Sequence, residues 1–376
     1  MKKLIVLPVF FCAMFVTAQV METAYTPPAF TAEKIITATP VKNQAMTGTC
    51  WCFSTTSLVE SQCMKANLGE LDLSEMFTVR NIYIEKAKNY ILRQGHAQFG
   101  EGGLGHDMIR AMATYGAMPD NVYSGLINGN KSHNHMVMVL DLQKYLDSML
   151  KKSPLPADWL NGYIEILNAN IGTPPTEFVY KEKKYTPKTF AKEVMKFNAD
   201  DYVNITSFTH QPYYKPFIIQ VPDNFSNGSY YNIPLNEMTA LVKNAVKNNY
   251  TVLWDADVSN SGFRQGRGMA LNLDGLAKYT GKEFTPDMPE LPYNENIRQQ
   301  LYENLTTQDD HLMHITGLEK SKNGKTFFLV KNSWGDVGPF KGYINVSEAY
   351  FAINTISLVV PKAAISKELL AKLGIK

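Results

Sequence analysis

The chain has 376 residues, of which 45% are hydrophobic and 19% are charged, and its formal net charge is +2. This length and composition indicate a globular protein with a large core, built as one large domain or as two lobes. The small net charge gives no electrostatic reason to expect binding to nucleic acid or to a membrane surface.

The N-terminal residues have the pattern of a secretory signal peptide. Two lysines follow Met1, an apolar run extends from residue 4 to residue 16, and Val16 and Ala18 offer a cleavage site. The run is short for a membrane span, and a retained anchor is the weaker alternative. We therefore predict that residues 1–18 are a signal peptide and that the mature chain is periplasmic or extracellular, without a membrane span.

The mature chain contains three cysteines, Cys50, Cys52 and Cys63. An odd and low number argues against a disulfide framework in an oxidising compartment. Cys52 and Cys63 would lie on one helix, too far apart along its axis to form a bridge, and we predict that both are buried thiols. A zinc site is the weaker alternative because no pair has CxxC spacing. We expect neither a metal nor a cofactor.

Apolar periodicity predicts that helices dominate the first part of the mature chain. A polar, Pro-containing arm at residues 19–40, which we expect to lie over the surface, precedes a helix that starts near Cys50, and Ser74 is a plausible N-cap for a second helix. Further helices are predicted at residues 107–115, 140–150, 160–169, 186–195 and 235–247.

Strands dominate the remainder of the chain. They are predicted at residues 200–208, 213–221, 252–258, 311–318, 326–331, 342–346 and 355–360, and a short helix follows at 366–373. Helices followed by strands indicate an α+β protein whose C-terminal strands form a sheet or a barrel.

Cys50 is the first candidate for chemistry. It lies where a polar run gives way to a helical pattern, and backbone N–H groups at a helix N-terminus would stabilise a thiolate. Gln44, six residues earlier, carries an amide that can donate to an oxyanion. The alternative is a buried structural cysteine, which is the common role of an isolated free thiol.

Two later segments favour catalysis over a structural role for Cys50. A cysteine nucleophile needs a histidine base, and that histidine needs an acceptor that orients it. His311 follows Asp310, and Asn332 precedes a Ser-Trp-Gly run. The three residue types therefore occur in the order that nucleophilic catalysis requires, each in a distinctive setting.

These segments resemble those of papain-like cysteine peptidases. The residues that carry the resemblance are Gln44, Gly48, Cys50, Trp51, Asp310, His311, Asn332, Trp334 and Gly335. Thr47 and Thr49 replace the first Cys and the Ser or Ala of the family signature, so the family's nearby disulfide cannot form. The long separation of Cys50 from His311, together with residues 252–258, is similar to the bleomycin hydrolase and aminopeptidase C branch over most of the mature chain.

The resemblance implies a two-lobe α+β fold for residues 19–376. We expect a helical lobe at about 41–120, a long helical insertion at about 121–245 and an antiparallel, barrel-like β lobe at about 246–362, with a terminal helix at 363–376. It also implies peptide substrates and, by resemblance only, a homo-hexamer.

The resemblance further assigns roles to individual residues. Cys50 would be the nucleophile, and His311 the base, because it follows a polar residue and lies six before Gly317. Asn332 would orient His311, and Gln44 would bind the oxyanion. The substrate-binding residues would be Trp334, Gly102 and Gly103. The ring of Trp334 would also shield the hydrogen bond between His311 and Asn332 from water, and the backbone of Gly102 and Gly103 would pair with an extended peptide.

The resemblance implies an aminopeptidase, but it also leaves alternatives open. In the branch, a C-terminal arm enters the cleft and blocks it, and here the sequence stops at Lys376, where that arm is expected to begin. An endopeptidase with an open cleft is therefore an alternative. The others are a non-catalytic peptide-binding protein and an acyltransferase that uses the same residues.

Three other polar features have alternative interpretations. His314 competes with His311 for the role of base, but it lies on the opposite side of the same predicted strand, and we expect it to pack beside the core. Asp257 ends a strand, and a turn cap is favoured over a role in the site. His133 and His135 have metal-pair spacing without a nearby third ligand.

Overall fold

The computed structural model describes residues 26–274 and 284–376. The predicted signal peptide, residues 1–18, lies outside the described residues. Within these two ranges, none of the helices has both the length and the apolar character that a bilayer span requires.

Ten α-helices are present in the described part of the chain. They are α1 (Cys50–Lys65), α2 (Glu75–Leu92), α3 (Gly105–Tyr115), α4 (Met136–Leu150), α5 (Trp159–Ile171), α6 (Pro187–Glu193), α7 (Leu235–Lys247), α8 (Glu295–Glu303), α9 (Glu348–Asn354) and α10 (Lys367–Leu373). The sequence pattern placed α7 at these bounds and most others within a few residues, but it missed α8 and α9.

Side-chain caps set several of the helix starts. The hydroxyl of Ser74 accepts the backbone N–H of Phe77, so the predicted N-cap of α2 is confirmed. Thr186 caps α6 in the same way, with Pro187 in the first turn. Ser366 caps α10 by accepting the N–H of Leu369. Each cap satisfies a donor that the helix cannot satisfy itself.

The described strands are β1 (Thr31–Ile35), β2 (Phe178–Tyr180), β3 (Lys183–Tyr185), β4 (Tyr202–Thr206), β5 (Pro216–Ile218), β6 (Ser229–Asn232), β7 (Val252–Ala256), β8 (Phe263–Arg264), β9 (Met269–Ala270), β10 (His311–Lys320), β11 (Thr326–Lys331), β12 (Tyr343–Ser347) and β13 (Thr355–Pro361). All but β2 and β3 form one sheet in the order β5-β6-β4-β13-β7-β10-β11-β12-β9-β8, and β1 also pairs with β10.

The large sheet is mostly antiparallel and does not close into a barrel within the described residues. Only the β4–β6 and β9–β12 pairs are parallel among the described pairings. The fold is therefore α+β, as predicted, but its strands form an open sheet where the prediction was barrel-like.

The sheet draws strands from regions that the sequence described differently. The arm at residues 19–40 was predicted to lie over the surface, yet β1 pairs with β10. The insertion contributes β4, β5 and β6 to the sheet, alongside its helices. Backbone hydrogen bonds hold β1 although most of its side chains are exposed, which explains why no apolar pattern marked it.

Helix α1 lies between the helices and the sheet, and this position brings the site together. Every residue from Cys50 to Ser61 is buried. The hydroxyl of Ser54 donates to the backbone carbonyl of Leu312 on β10, at 2.6 Å. The N-terminus of α1 is thereby fixed beside the first residues of β10, where His311 is located.

Candidate active site

Cys50 is the first residue of α1, and its side chain is almost enclosed, with 8% of the residue exposed. The backbone of Leu312 approaches the Cys50 thiol closely enough to oppose the effect of burial on its pKa. Because Leu312 directly follows His311, the sulfur lies beside the strand position that carries the imidazole. The predicted placement of Cys50 at a helix N-terminus is confirmed.

Gln44 is held in the loop that leads into α1. Its side-chain Nε2 donates to the carbonyl of Thr47 at 2.7 Å, and its Oε1 accepts the hydroxyl of Ser333 at 2.6 Å. An amide nitrogen carries two N–H groups, so the Thr47 contact uses one and leaves the second. The fixed amide orientation suits a donor that must point toward a reacting carbonyl.

The two threonines that replace signature residues hold this loop by hydrogen bonds. The hydroxyls of Thr47 and Thr49 are 2.6 Å apart, and Thr47 Oγ1 also donates to the carbonyl of Gln44 at 2.8 Å. Both residues are buried. Hydroxyl contacts thus connect the loop to the start of α1 in this chain.

His311 contacts Asn332 directly. The distance from His311 Nε2 to Asn332 Oδ1 is 2.7 Å, which leaves Nδ1 as the ring nitrogen free of this bond. The ring of Trp334 lies over the imidazole, with centroids 4.6 Å apart and planes tilted by 30°. The indole therefore covers the imidazole beside the His–Asn contact, and His311 itself is only 4% exposed.

Burial opposes charge on both reacting groups. It raises the pKa of the Cys50 thiol to about 12, and it lowers the pKa of His311 to about 4, against the hydrogen bond that His311 donates to Asn332. Either charge alone is thus disfavoured. Proton transfer from Cys50 to His311 creates both charges together, and their mutual attraction offsets part of that penalty.

Gln265 is a positioning residue that the sequence did not reveal. Its Oε1 accepts the side-chain N–H of Asn332 at 3.1 Å, and its own Nε2 donates to the carbonyls of Val337 and Tyr343. These contacts fix the amide of Asn332 with its oxygen toward His311. Gln265 lies in a short 3-10 turn without a recognisable motif, so no sequence signal pointed to it.

Gly102 and Gly103 are in different environments. A Cβ on Gly102 would lie 1.9 Å from Asp223 Oδ2, so the Asp223 carboxyl occupies the space beside this backbone. The carbonyl of Gly102 also accepts Lys86 Nζ. A Cβ on Gly103 would lie 3.2 Å from the indole of Trp51. The absence of side chains here permits close packing by Asp223 and Trp51.

The competing polar residues have structural partners. His314 is buried, and its Nδ1 lies 2.9 Å from the hydroxyl of Ser57 on α1. Asp257 accepts the backbone N–H groups of Ser259 and Gln308, which is the predicted turn cap. His135 Nδ1 lies 3.0 Å from the hydroxyl of Tyr83.

The remaining thiols are buried, as predicted. Cys52 and Cys63 are free, and their sulfurs face the backbone carbonyls of Glu75 and Met195. Over the described ranges, no three His, Cys, Asp or Glu side chains are grouped as a metal site would require. Burial raises the pKa of both thiols, as it does for Cys50.

Comparisons with known proteins agree with the resemblance to cysteine peptidases that the sequence motifs indicated. The Peptidase C1-like family model matches residues 15–375. Aminopeptidase C of Lactobacillus delbrueckii subsp. lactis is 22% identical and covers 91% of this chain and 83% of its own length. Aminopeptidase C of Streptococcus thermophilus is 23% identical, with coverage of 89% and 83%. The crystal structure of PepW from Lactobacillus rhamnosis has a TM-score of 0.72 at 22% identity, covering 92% of this chain and 84% of that one.

The fold and these similarities define a papain-like cysteine peptidase, which is a hydrolase. The chain belongs to the Peptidase C1-like family, and the resemblance derived from the sequence motifs is confirmed. The shared fold extends over 92% of the chain.

Proposed function

We propose that the protein is an aminopeptidase that hydrolyses peptide bonds near a free N-terminus through a thioester on Cys50. The observation that carries this proposal is the arrangement around β10. The Cys50 thiol lies against the backbone of Leu312, and the neighbouring imidazole of His311 is oriented by Asn332 at 2.7 Å.

In the proposed mechanism, His311 takes the proton of the Cys50 thiol. The thiolate attacks the substrate carbonyl carbon, which forms the C–S bond and moves an electron pair onto the carbonyl oxygen. The second Nε2–H of Gln44 and the backbone N–H of Cys50 stabilise that oxyanion. As it collapses, His311 protonates the leaving nitrogen and the C–N bond breaks.

Deacylation reuses the same groups. His311 takes a proton from water, the resulting hydroxide attacks the thioester, and the carboxylic acid leaves as the sulfur recovers a proton. Asn332 keeps Nε2 occupied throughout, so that Nδ1 faces the sulfur and the substrate. Trp334 limits the access of water to that hydrogen bond, which strengthens it.

The relatives support removal of N-terminal residues in particular. Two proteins that this chain resembles over about nine-tenths of its length are named Aminopeptidase C. Their identity to this chain is 22% and 23%. The enzyme class is thus better supported than the choice between exopeptidase and endopeptidase, and that choice requires an experiment.

The test is turnover of two fluorogenic substrates by the mature protein under reducing conditions. One substrate has a free N-terminus, and the other carries the same residues behind an N-acetyl group. Cys50→Ala removes the proposed nucleophile, and Cys52→Ala is the matched control because it removes a buried thiol two positions along α1. Circular dichroism checks that both variants fold.

We expect cleavage of the free-amine substrate, loss of activity in Cys50→Ala and retained activity in Cys52→Ala. Cleavage of the blocked substrate at a comparable rate would indicate an endopeptidase instead. Equal signals from the intact protein and Cys50→Ala would contradict the proposal and favour a non-catalytic peptide-binding protein. Transfer of the acyl group to an added amine, seen by mass spectrometry, would indicate an acyltransferase.

We also propose that the enzyme acts outside the cytoplasm, after removal of residues 1–18. The support is the basic, apolar and small-residue pattern of that segment. N-terminal sequencing of the protein recovered from a bacterial host tests it: a start at or near residue 19 is expected, and an intact Met1 in the cytoplasmic fraction would overturn it.

A further inference from the structure

Glu101 joins the glycine segment (residues 100–105) to the chain around Cys50. Its side-chain Oε2 accepts the backbone N–H of Gly48 at 2.7 Å. Its backbone carbonyl accepts the indole N–H of Trp51 at 3.0 Å. Gly48 precedes Cys50 by two residues and Trp51 follows it directly. Glu101 therefore contacts the chain on both sides of the proposed nucleophile.

The contact between Glu101 and Gly48 is close and noncovalent. A Cβ on Gly48 would lie 3.0 Å from the Cβ of Glu101, so the loop before α1 is packed against the glycine segment. The three cysteines of the described residues are free, and none of them links these two segments. The hydrogen bond from Gly48 to Glu101 is thus a direct constraint on where the loop lies.

This hydrogen bond acts on the peptide unit that also holds Gln44. The N–H of Gly48 and the carbonyl of Thr47 belong to one peptide unit, and that carbonyl accepts Nε2–H of Gln44 at 2.7 Å. A peptide unit is planar and rigid, so a partner that fixes its N–H also fixes the direction of its C=O. Glu101 at one end of the unit therefore sets the acceptor that orients the Gln44 amide at the other end.

The two hydrogen bonds of this peptide unit also strengthen each other. An acceptor at the N–H polarises the unit and makes its carbonyl oxygen a better acceptor. Burial raises the pKa of Glu101, and the N–H of Gly48 opposes that rise. The Gln44 amide is thereby held with one N–H on Thr47, while its second N–H is the one assigned to the oxyanion.

The start of the insertion supports both Glu101 and the loop. The distance from Glu101 Oε2 to His135 Nδ1 is 3.8 Å, and that nitrogen lies 3.0 Å from the hydroxyl of Tyr83. The backbone N–H of Met46 donates to the carbonyl of His133 at 3.1 Å, and the N–H of His135 donates to the carbonyl of Met46 at 3.2 Å. The two histidines whose spacing suggested a metal pair thus lie on a segment that supports the loop.

We propose that Glu101 is a positioning residue of the oxyanion-binding loop, and that it orients the Gln44 amide through the peptide unit between Thr47 and Gly48. This inference rests on the proposed peptidase function. The role requires an acceptor oxygen with the reach of the Glu101 side chain. Glutamine keeps that reach and an acceptor oxygen, whereas aspartate keeps the charge and is one methylene shorter.

The test compares kcat and KM of Glu101→Gln and Glu101→Asp on the free-amine substrate. Glu85→Asp is the matched control, because the side chain of Glu85 is 16% exposed against 19% for Glu101, and it pairs with Arg110 away from the loop. Urea unfolding gives the folded fraction by which each kcat is corrected. Gly48→Ala separates the same two groups from the loop side, and it takes the place of Glu101→Asp if that variant does not fold.

We expect kcat of Glu101→Asp to fall roughly tenfold to a hundredfold, with KM changed by less than about threefold, because a misplaced oxyanion donor acts mainly in the transition state. Glu101→Gln, the conservative variant, and Glu85→Asp should keep kcat within about threefold of the intact protein. Retained kcat in Glu101→Asp, or a loss in Glu101→Gln, would overturn the proposal. A similar loss in Glu85→Asp would also overturn it, by assigning the effect to general packing.

Binding of leucinal gives a readout that is specific to the oxyanion. The Cys50 sulfur adds to the aldehyde carbon, the C–S bond forms, the thiol proton moves to His311, and the carbonyl oxygen gains the electron pair, as in the proposed reaction. Leucinol, the matching alcohol, forms no oxyanion. Calorimetric titration of Glu101→Asp should show leucinal binding weakened by the same factor as kcat/KM, and leucinol binding unchanged. Equal weakening of both compounds would overturn the proposal.

The role of Glu101 and the peptidase function fail in different ways. Turnover by the intact protein with equal kcat in Glu101→Asp would support the peptidase and overturn the role of Glu101. Absence of turnover, together with leucinal binding that Glu101→Asp weakens and leucinol binding that it does not, would support the role of Glu101 and contradict the catalytic proposal. Absence of both turnover and leucinal binding would overturn both.

Discussion

Two groups of buried or partly buried charged side chains lie near β10, and their polar atoms are satisfied to different degrees. The first, called the paired cluster here, consists of Lys42, Glu60, Glu75 and Lys331, two bases with two acids. The second, called the acidic cluster here, consists of Asp223, Asp255 and Asp309, which all act on the pKa of the Cys50 thiol. The two clusters differ in whether each charge has a partner within the protein.

Every member of the paired cluster has close contacts. Lys42 Nζ lies 2.9 Å from Glu75 Oε1. Glu60 accepts the hydroxyl of Thr39 at 2.6 Å and the N–H of Leu73 at 2.9 Å, and Lys331 donates to Thr39 and Ser57. Burial raises the pKa of both acids, and Lys42 opposes that rise. These charges hold the loop before α1, α1 itself, α2 and β11 together.

The acidic cluster has no comparable set of donors. Asp255 Oδ2 accepts the hydroxyl of Ser357 at 2.8 Å, but its other oxygen faces Asp309 without a described donor. A buried carboxylate without a donor costs stability, and burial raises the pKa of both Asp255 and Asp309, which favours a shared proton. The comparison thus separates charges that pair within the protein from carboxyl groups that lack donors among the described residues.

The two buried histidines of β10 differ in the same way. His314 interacts with Ser57 in the paired cluster's surroundings, and burial, followed by the charge of Lys331, lowers its pKa well below the ordinary value. His311 interacts with Asn332, and the residue after it, Leu312, brings its backbone close to the Cys50 thiol. His314 therefore remains neutral inside the fold, whereas the proposed function gives His311 the role of the base.

The largest expected effect comes from breaking the paired cluster. Glu60→Ala would remove the carboxylate that most favours the charge of Lys331, which is 5% exposed, and would leave Glu75 as the other buried acid that acts on it. We expect the free energy of unfolding to fall by about 3–5 kcal/mol, the usual result of removing one partner of a buried pair. Urea unfolding monitored by circular dichroism measures this change.

Glu368→Ala is the control for that experiment, since the Glu368 side chain is 81% exposed beside Lys372. Its effect should stay within about 0.5 kcal/mol. A loss below about 1 kcal/mol for Glu60→Ala would show that the paired cluster does not hold the fold together, which would remove the contrast with the acidic cluster.

The sequence predicted the parts of this molecule that are marked by local pattern. Ser74 as an N-cap, α7, β11 and the position of Cys50 at a helix start depend on neighbouring residues, and short-range rules suffice for them. The resemblance assigned Asn332 to His311, and the two are in contact. The open sheet and the place of β1 could not be predicted, because pairing between distant strands leaves no mark in either strand alone.

The acidic cluster illustrates the same limit at the site. Asp223, Asp255 and Asp309 are far apart in the sequence, and each has an unremarkable setting. The fold brings them together because β7 pairs with β10 and because the insertion folds back over α3. Gln265 was missed for the same reason, since its only relevant partner, Asn332, is distant along the chain.

Removing a carboxylate from the acidic cluster should increase the free energy of unfolding, whereas Glu60→Ala should lower it. Asp255→Asn keeps the shape of the side chain and can still accept the hydroxyl of Ser357, while its new N–H groups can donate to Asp309. We expect the free energy of unfolding at pH 8 to rise by about 1–2 kcal/mol. Urea unfolding is again the measurement, and a loss of stability would contradict the view that Asp255 and Asp309 lack donors in the folded protein.

The pH dependence of that gain has a definite sign. Burial raises the pKa of Asp255 to about 7, above its value in the unfolded chain. A raised carboxyl pKa gives stability that is fully present below the unfolded pKa and is lost as the pH rises through about 7. Asp255→Asn has no such loss, so the difference in free energy of unfolding between the variant and the intact protein should increase from pH 5 to pH 8. An equal difference at both pH values would exclude titration of Asp255 as its cause.

The smallest expected effect is on the reactivity of Cys50. Asp223→Asn removes one of the negative charges that raise the pKa of the thiol, so the thiolate fraction at a given pH increases. Iodoacetamide should then alkylate Cys50 roughly twofold to tenfold faster, as expected for one charge at this range in a partly polar medium. Mass spectrometry of the Cys50 peptide measures the alkylation rate. The matched control is Asp72→Asn, because Asp72 is an acid beside Lys42 and its own side chain is 67% exposed.

Faster alkylation in Asp223→Asn alone would connect the acidic cluster, and not the surroundings of Lys42, with the reactivity of Cys50. Equal rates in both variants would show that the carboxylates do not control the thiol.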